Sequence, residues 1–479
     1  MVFSSSLFLF YFLPAFLVAY HFAPRAARNT IALVASLLFY AWGGPLFVYV
    51  LLGGTWLDYW LSQAIARTQA EGRRKLYVWI SVVTNIGLLG YFKYANFFVA
   101  EANGLLAHWD VAPIAWTAVA LPFGISFFTF QKLTYVVDVY RGTAQVARSY
   151  LDCVLYVVLF PQLIAGPIVR YHDVDQQIRS RTHTTLQFWR GVERFTLGLC
   201  KKVILANAMA AIADPIFGLQ VTDVPQSFAW LAAFAYYFQI YFDFSGYSDM
   251  AIGLGRMMGF EFLEKFYRPY IARTFTEFWR RWHMSLSNFM REYIYIPLGG
   301  NRVGVVRGYL NLWVVFLVSG FWHGASWNFV VWGAYQGVFL TLDKLGWQRV
   351  AGHLSGLVLR PVMVLLVTAS WVIFNTRDLD HSWQFLRRMF AGGGPAWSTS
   401  HQAARLPFDG YLALLFALAC LVCFLPWSKR YLAAEQRFLG WARTPLGRPV
   451  FGLIVWVGLL LGCLATVNSS YNPFIYFRF

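Results

Sequence analysis

The chain has 479 residues, of which 58% are hydrophobic and only 13% charged, and its mean hydropathy is +0.51. A soluble domain carries roughly 25% charged residues, so this composition leaves too little polar surface to face water and places the chain in a bilayer. The net charge of +17 is spread over short loops between apolar runs, with no basic stripe. That pattern fits cytoplasmic loops and argues against nucleic acid as a partner.

Residues 1–24 contain no Lys, Arg, Asp or Glu, and the first charges are Arg25 and Arg28. A cleavable signal peptide needs a basic region ahead of its apolar core. The expectation is therefore an uncleaved first helix with its N-terminus outside. Apolar stretches follow near 5–23, 31–65, 76–98, 111–137, 149–169, 203–219, 228–260, 309–342, 358–376, 410–426 and 449–467. A crossing needs roughly 20 apolar residues, so the sequence predicts an all-α polytopic protein of about 11 spanning helices, with re-entrant and interfacial helices besides. Three stretches exceed one crossing and are interrupted at Trp42-Gly43-Gly44-Pro45, at Phe244-Ser245-Gly246, and at Ser319-Gly320 with Gly324. No repeat and no Ser- or Pro-rich linker divides the chain, which reads as one membrane domain over 1–479.

Basic residues concentrate in 66–75, 177–202, 264–302 and 428–448, and these loops are expected in the cytoplasm. Segments 99–110 and 220–227 lack Lys and Arg and are expected on the opposite face. The 309–342 stretch is flanked by basic loops on both sides, so it should enter and leave on one face, turning near Phe321-Trp322-His323-Gly324. Stretch 149–169 reads as a second hairpin, broken at Pro161 and Gly166-Pro167. Irregular backbone at membrane depth survives only where protein or a water-filled cavity surrounds it.

Polar residues within apolar stretches are the candidates for chemistry. Lys93 sits near the expected outer end of a helix, where it either snorkels to the interface or contacts substrate. Asp243 and Asp249 interrupt an apolar run with Ser245, Tyr247 and Ser248. They either line a cavity and orient a catalytic group or satisfy a broken helix. Segment 277–287 reads as an interfacial helix capped by Thr274 or Thr276, with Trp279, His283 and Ser287 on one face and Arg280 on the next turn. It either binds substrate or meets lipid headgroups. His323 lies at the expected intramembrane turn among small residues. Asn328, Trp332 and Gln336 then form a polar stripe if helix resumes after Ala325. An imidazole there is either a general base for acyl transfer or a structural hydrogen-bond donor.

The five cysteines lie in or beside apolar runs without metal-type spacing, and read as small buried residues. No Gly-x-Ser-x-Gly elbow, phosphate loop or His-x-x-x-His pair occurs, so no metal site is expected. A proton-relay transporter using Asp243, Asp249 and His323 is the alternative from another class.

At these residues the chain resembles the membrane-bound O-acyltransferase family. The resemblance rests on His323 in Trp322-His323-Gly324 and on His283 in Arg280-Arg281-Trp282-His283. It is similar in particular to the bacterial alginate O-acetyltransferase branch. That similarity includes Tyr91-Phe92-Lys93-Tyr94-Ala95-Asn96-Phe97, Leu163-Ile164-Ala165-Gly166-Pro167, Tyr241-Phe242-Asp243-Phe244-Ser245-Gly246-Tyr247-Ser248-Asp249-Met250 and Leu298-Gly299-Gly300-Asn301-Arg302. The family-like core covers about 1–377, and 378–479 is more variable. The resemblance implies a ring of tilted helices around a central tunnel, with His323 and His283 as the catalytic pair. Arg280, Arg281, Ser287, Asn328, Trp332, Asp243 and Asp249 are the expected substrate-binding residues. It implies no bound cofactor, acetyl-CoA as cytoplasmic donor, a bacterial inner-membrane location, and periplasmic polysaccharide-acetylation proteins as partners. Cellulose acetylation, teichoic-acid D-alanylation and a non-catalytic acyl-carrier transporter are the alternatives.

Overall fold

A computed structural model describes residues 1–164, 166–391, 409–469 and 471–475. Every regular element among them is helical. Among the described residues, six helices are long and apolar enough to cross a membrane: Glu71–Ala107, Thr185–Phe217, Val305–His323, Gly356–Asn375, Gly410–Trp427 and Gly447–Asn468. The described residues pack as two compact units, one of residues 1–192 with 251–263 and the other of 193–250 with 264–479.

In the first unit, Phe47–Arg67, Ile125–Arg141 and the Glu71–Leu89 portion of Glu71–Ala107 pack on one another. A buried carboxylate, Asp58, joins them. It accepts hydrogen bonds from Ser81 (2.5 Å) and Asn85 (2.9 Å), with Lys132 at 3.8 Å. A charge at this depth is tolerated because it is paired and bonded. The 149–169 stretch is two short buried helices, Tyr150–Val158 and Phe160–Leu163. The Phe160 ring is packed by Phe3, Phe12, Phe16 and Phe39. The Lys93 ammonium bonds the Ser126 hydroxyl at 3.3 Å, within this unit.

The second unit departs from the sequence reading at the 241–249 polar run. Gln226–Met257 is one continuous helix of 32 residues, unbroken at Phe244-Ser245-Gly246. Two features keep it whole. Asp243 pairs with Lys202 (2.8 Å), and Asp249 pairs with Arg194 and Lys201 (both 2.7 Å), so the carboxylates need no opened backbone. Gly246 meets Gly198 of the Thr185–Cys200 helix so closely that a Cβ on Gly198 would lie 2.4 Å from the Gly246 carbonyl oxygen. Lys202 is therefore a buried counter-ion, and Arg194 and Lys201 are partly exposed ones.

Val305–His323 and Trp327–Leu342 form the expected hairpin, reversing over Gly324–Ser326. Gly320 and Gly333 allow the contact. Their added Cβ atoms would lie 2.3 Å from Phe329 O and 2.4 Å from Phe316 O. Gly356–Asn375 packs beside Trp327–Leu342.

The expected single interfacial helix over 274–287 is two helices. Thr274 caps Phe275–Trp279 by accepting from Glu277 N (3.1 Å). The helix stops there because His283 takes a left-handed backbone conformation, with φ 43°. His283 then caps Met284–Met290. Trp279, His283 and Ser287 therefore do not share the face of one helix.

Candidate active site

The hairpin turn places His323 at the end of its helix. The ring Nδ1 lies 2.6 Å from the Ser319 carbonyl oxygen. A carbonyl only accepts, so Nδ1 carries the proton and Nε2 is the basic nitrogen of the neutral ring. Trp332, Trp322 and Phe374 pack edge-on against the imidazole, with centroids 5.0, 4.9 and 5.5 Å away.

His323 opens onto a small cavity with about 20 Å³ of free space. Among the described residues, the only other ionisable group in its lining is Asp243. Trp282, Trp332, Trp371, Phe374 and Phe244 supply the aromatic wall, and Ile240 one aliphatic face. Phe474 and Ile475 complete it. Ile240, Asp243 and Phe244 fall at i, i+3 and i+4 of one helix, and Trp371 and Phe374 at i, i+3 of another. A small group with one polar end suits this lining.

His283 is 1% exposed and adjoins the cavity through Phe244, whose ring it meets edge-on at 4.9 Å. Its Nδ1 accepts from the Leu286 backbone N–H (3.2 Å), which fixes the proton of the neutral ring on Nε2. That nitrogen has no hydrogen-bond partner among the described residues. Burial pushes the His283 pKa well below the usual histidine value, with repulsion from Lys265 and then His323 adding to it. The ring is therefore a neutral donor. Lys265 is itself fully buried, with its ammonium 3.6 Å from the Phe244 ring centroid.

A second, open cleft of about 530 Å³ is lined by Arg273, Arg280, Arg281, Glu277 and Tyr267. Arg281 is tied to Glu277 at 3.0 Å, while the Arg280 side chain is exposed. Arg281 lines this cleft and the next residue, Trp282, lines the His323 cavity. One turn of chain therefore divides a basic mouth from an aromatic chamber.

Of the residues singled out from sequence, His323, Trp332 and Asp243 meet in the cavity, and Arg280 and Arg281 meet in the cleft. Three others lie elsewhere. Ser287 donates to the Trp279 carbonyl (3.3 Å). Asn328 bonds Thr376 O (3.0 Å) and the Ser382 hydroxyl (3.1 Å), which fastens two helices. Asp249 is consumed by its two cations. Sequence reasoning missed Phe244, Trp282, Trp371, Phe374, Phe474 and Ile475. The i, i+3 spacing of Trp371 and Phe374 was the available signal for that pair.

A sequence model of the membrane-bound O-acyltransferase family matches residues 143–352, which contain both histidines and both arginines. The chain is 43% identical over 426 residues to the probable alginate O-acetylase AlgI of Pseudomonas aeruginosa, covering 88% of this chain and 80% of the relative. It is 39% identical to the protein of that name from Pseudomonas putida over the full length of both. It is also 34% identical to the peptidoglycan O-acetyltransferase of Helicobacter pylori, covering 82% of this chain and 80% of the relative. Similarity of this extent, together with the apolar helices, shows that the chain belongs to the membrane-bound O-acyltransferase family and is a multi-pass membrane O-acyltransferase.

Proposed function

We propose that this protein moves an acetyl group from a cytoplasmic thioester, acetyl-CoA, across a bacterial inner membrane for O-acetylation of an exported polysaccharide such as alginate. In this reading about 11 helices cross the bilayer around a central tunnel, and periplasmic acetylation proteins complete delivery to the polymer. The observation that carries it is His323, locked as the Nδ1–H tautomer by Ser319 and lining an aromatic cavity, which makes Nε2 its basic nitrogen. Nε2 takes the proton of the acceptor hydroxyl as its oxygen attacks the acetyl carbonyl. The C–S bond breaks, and the imidazolium returns the proton to the departing thiolate. His283 supports the reaction as a neutral Nε2–H donor. Arg280 and Arg281 receive donor phosphates at the basic cleft.

Purified protein in lipid nanodiscs with labelled acetyl-CoA and an alginate-type acceptor tests the reading. His323→Ala lowers the transfer rate by about 10²–10⁴-fold, and normal transfer by a folded variant refutes it. The paired change Arg280→Gln with Arg281→Gln raises the donor KM without a matching fall in kcat. An unaltered donor KM removes the cleft from the reading. A peptidoglycan acceptor is the second reading, favoured by the Helicobacter pylori relative at 34% identity. Parallel assays with the two acceptors separate them.

A further inference from the structure

The segment Tyr471–Ile475 is held in place more firmly than its lack of secondary structure suggests. The Ile475 backbone N–H donates to the Asp243 carboxylate at 2.9 Å. Lys202, the ion-pair partner of Asp243, also donates to the Pro473 carbonyl. Asn207 donates to Asn472 at 3.4 Å. The Phe474 ring stacks on Tyr247, with centroids 4.6 Å apart and planes 27° apart. Phe474 and Ile475 are 5% and 4% exposed, and both line the His323 cavity.

We propose that Phe474 and Ile475 are specificity-determining residues that limit the transferred acyl group to two carbons. The inference rests on the acyl-transfer reading above. A linear acyl chain offers nothing polar beyond its carbonyl, so only contact with the wall distinguishes acetyl from a longer homologue. The cavity lining is nearly all apolar, and one methylene in such a pocket discriminates by roughly 10–200-fold. Discrimination of that kind requires a wall that does not yield. Here the backbone carrying Phe474 and Ile475 is anchored to Asp243 and Lys202, an ion pair that is itself buried. Ile475→Ala removes side-chain volume at the wall and keeps the backbone N–H that fastens it.

The experiment compares wild type with Ile475→Ala and Phe474→Ala in nanodiscs, using acetyl-, propionyl- and butyryl-CoA and one acceptor. Thermal unfolding and elution volume serve as controls for folding. The butyryl-to-acetyl ratio of kcat/KM is expected to rise at least about tenfold in either variant. Should an alanine variant fail to fold, Ile475→Val and Phe474→Leu carry the test, with smaller rises expected in the same direction. A merely structural role would lower transfer of all three acyl groups together and leave the ratio fixed. A folded variant with the wild-type ratio overturns the inference alone. Wild type that transfers none of the three groups overturns the acyl-transfer reading, and this inference with it.

Discussion

His283 combines an observed structural role with a proposed chemical one. Its backbone occupies the left-handed region and its Nδ1 caps the next helix, while its Nε2–H is the neutral donor that the proposed reaction would use. Asparagine tolerates left-handed backbone and is a strong N-cap. His283→Asn should therefore fold as wild type does and still lose transfer, by about tenfold or more if a positioned donor has been removed. Alanine loses the cap as well, which costs about 1 kcal/mol, and it strains the backbone by about 1–2 kcal/mol more. His283→Ala is expected to be both inactive and less stable. Unfolding curves beside rates decide the matter. If the asparagine variant is as active as wild type, His283 has only its structural job. No local pattern announces this conformation, because the residue sits inside an Arg- and Trp-rich run that reads as helix throughout.

Among the elements, those whose cues are local were readable in advance. The hairpin of Val305–His323 with Trp327–Leu342 was legible because glycine, serine and histidine cluster where the apolar run doubles back. The continuity of Gln226–Met257 was not. The cations that quiet its two carboxylates lie 48 and 55 residues earlier for Asp249, beyond the reach of any local pattern. Likewise nothing near Phe474 marks it as a cavity wall. The connection between Tyr171–Arg179 and Thr185–Cys200 carries a pH-dependent contact. His183 faces the Tyr20 hydroxyl at 3.1 Å. Partial burial, then the nearby Arg28, Arg181 and His21, lower its pKa to about 4. An unfolded histidine titrates near about 6.5, so between the two values the unfolded chain binds the extra proton. Stability in that window therefore rises with pH, and it falls as the solution is acidified from about 6.5 toward 4. Melting temperature measured across this range should depend less steeply on pH in His183→Gln than in wild type. Equal slopes would remove His183 from the account.

At the scale of the whole molecule, a chain this apolar has few places for charge, and the unit around His323 pairs several of its internal charges. Lys202 is 1% exposed and holds Asp243, the Asn207 side chain and the Pro473 carbonyl at once. Composition pointed to a membrane protein and loop charge to an expectation of cytoplasmic loops, yet neither pointed to Lys202 as a buried ion-pair partner, because its partner was not visible from its own neighbourhood. Its removal tests what the pair contributes. Lys202→Met preserves the apolar stem but leaves Asp243 as an uncompensated buried carboxylate, which costs roughly 3–5 kcal/mol. Adding Asp243→Asn removes the stranded charge, so the double variant should recover much of that loss. The coupling is read from a double-mutant cycle of unfolding free energies in one detergent. Additive losses would mean that the two residues act independently. A strong positive coupling would instead identify the pair as the joint that binds the Gln226–Met257 helix to the segment walling the His323 cavity.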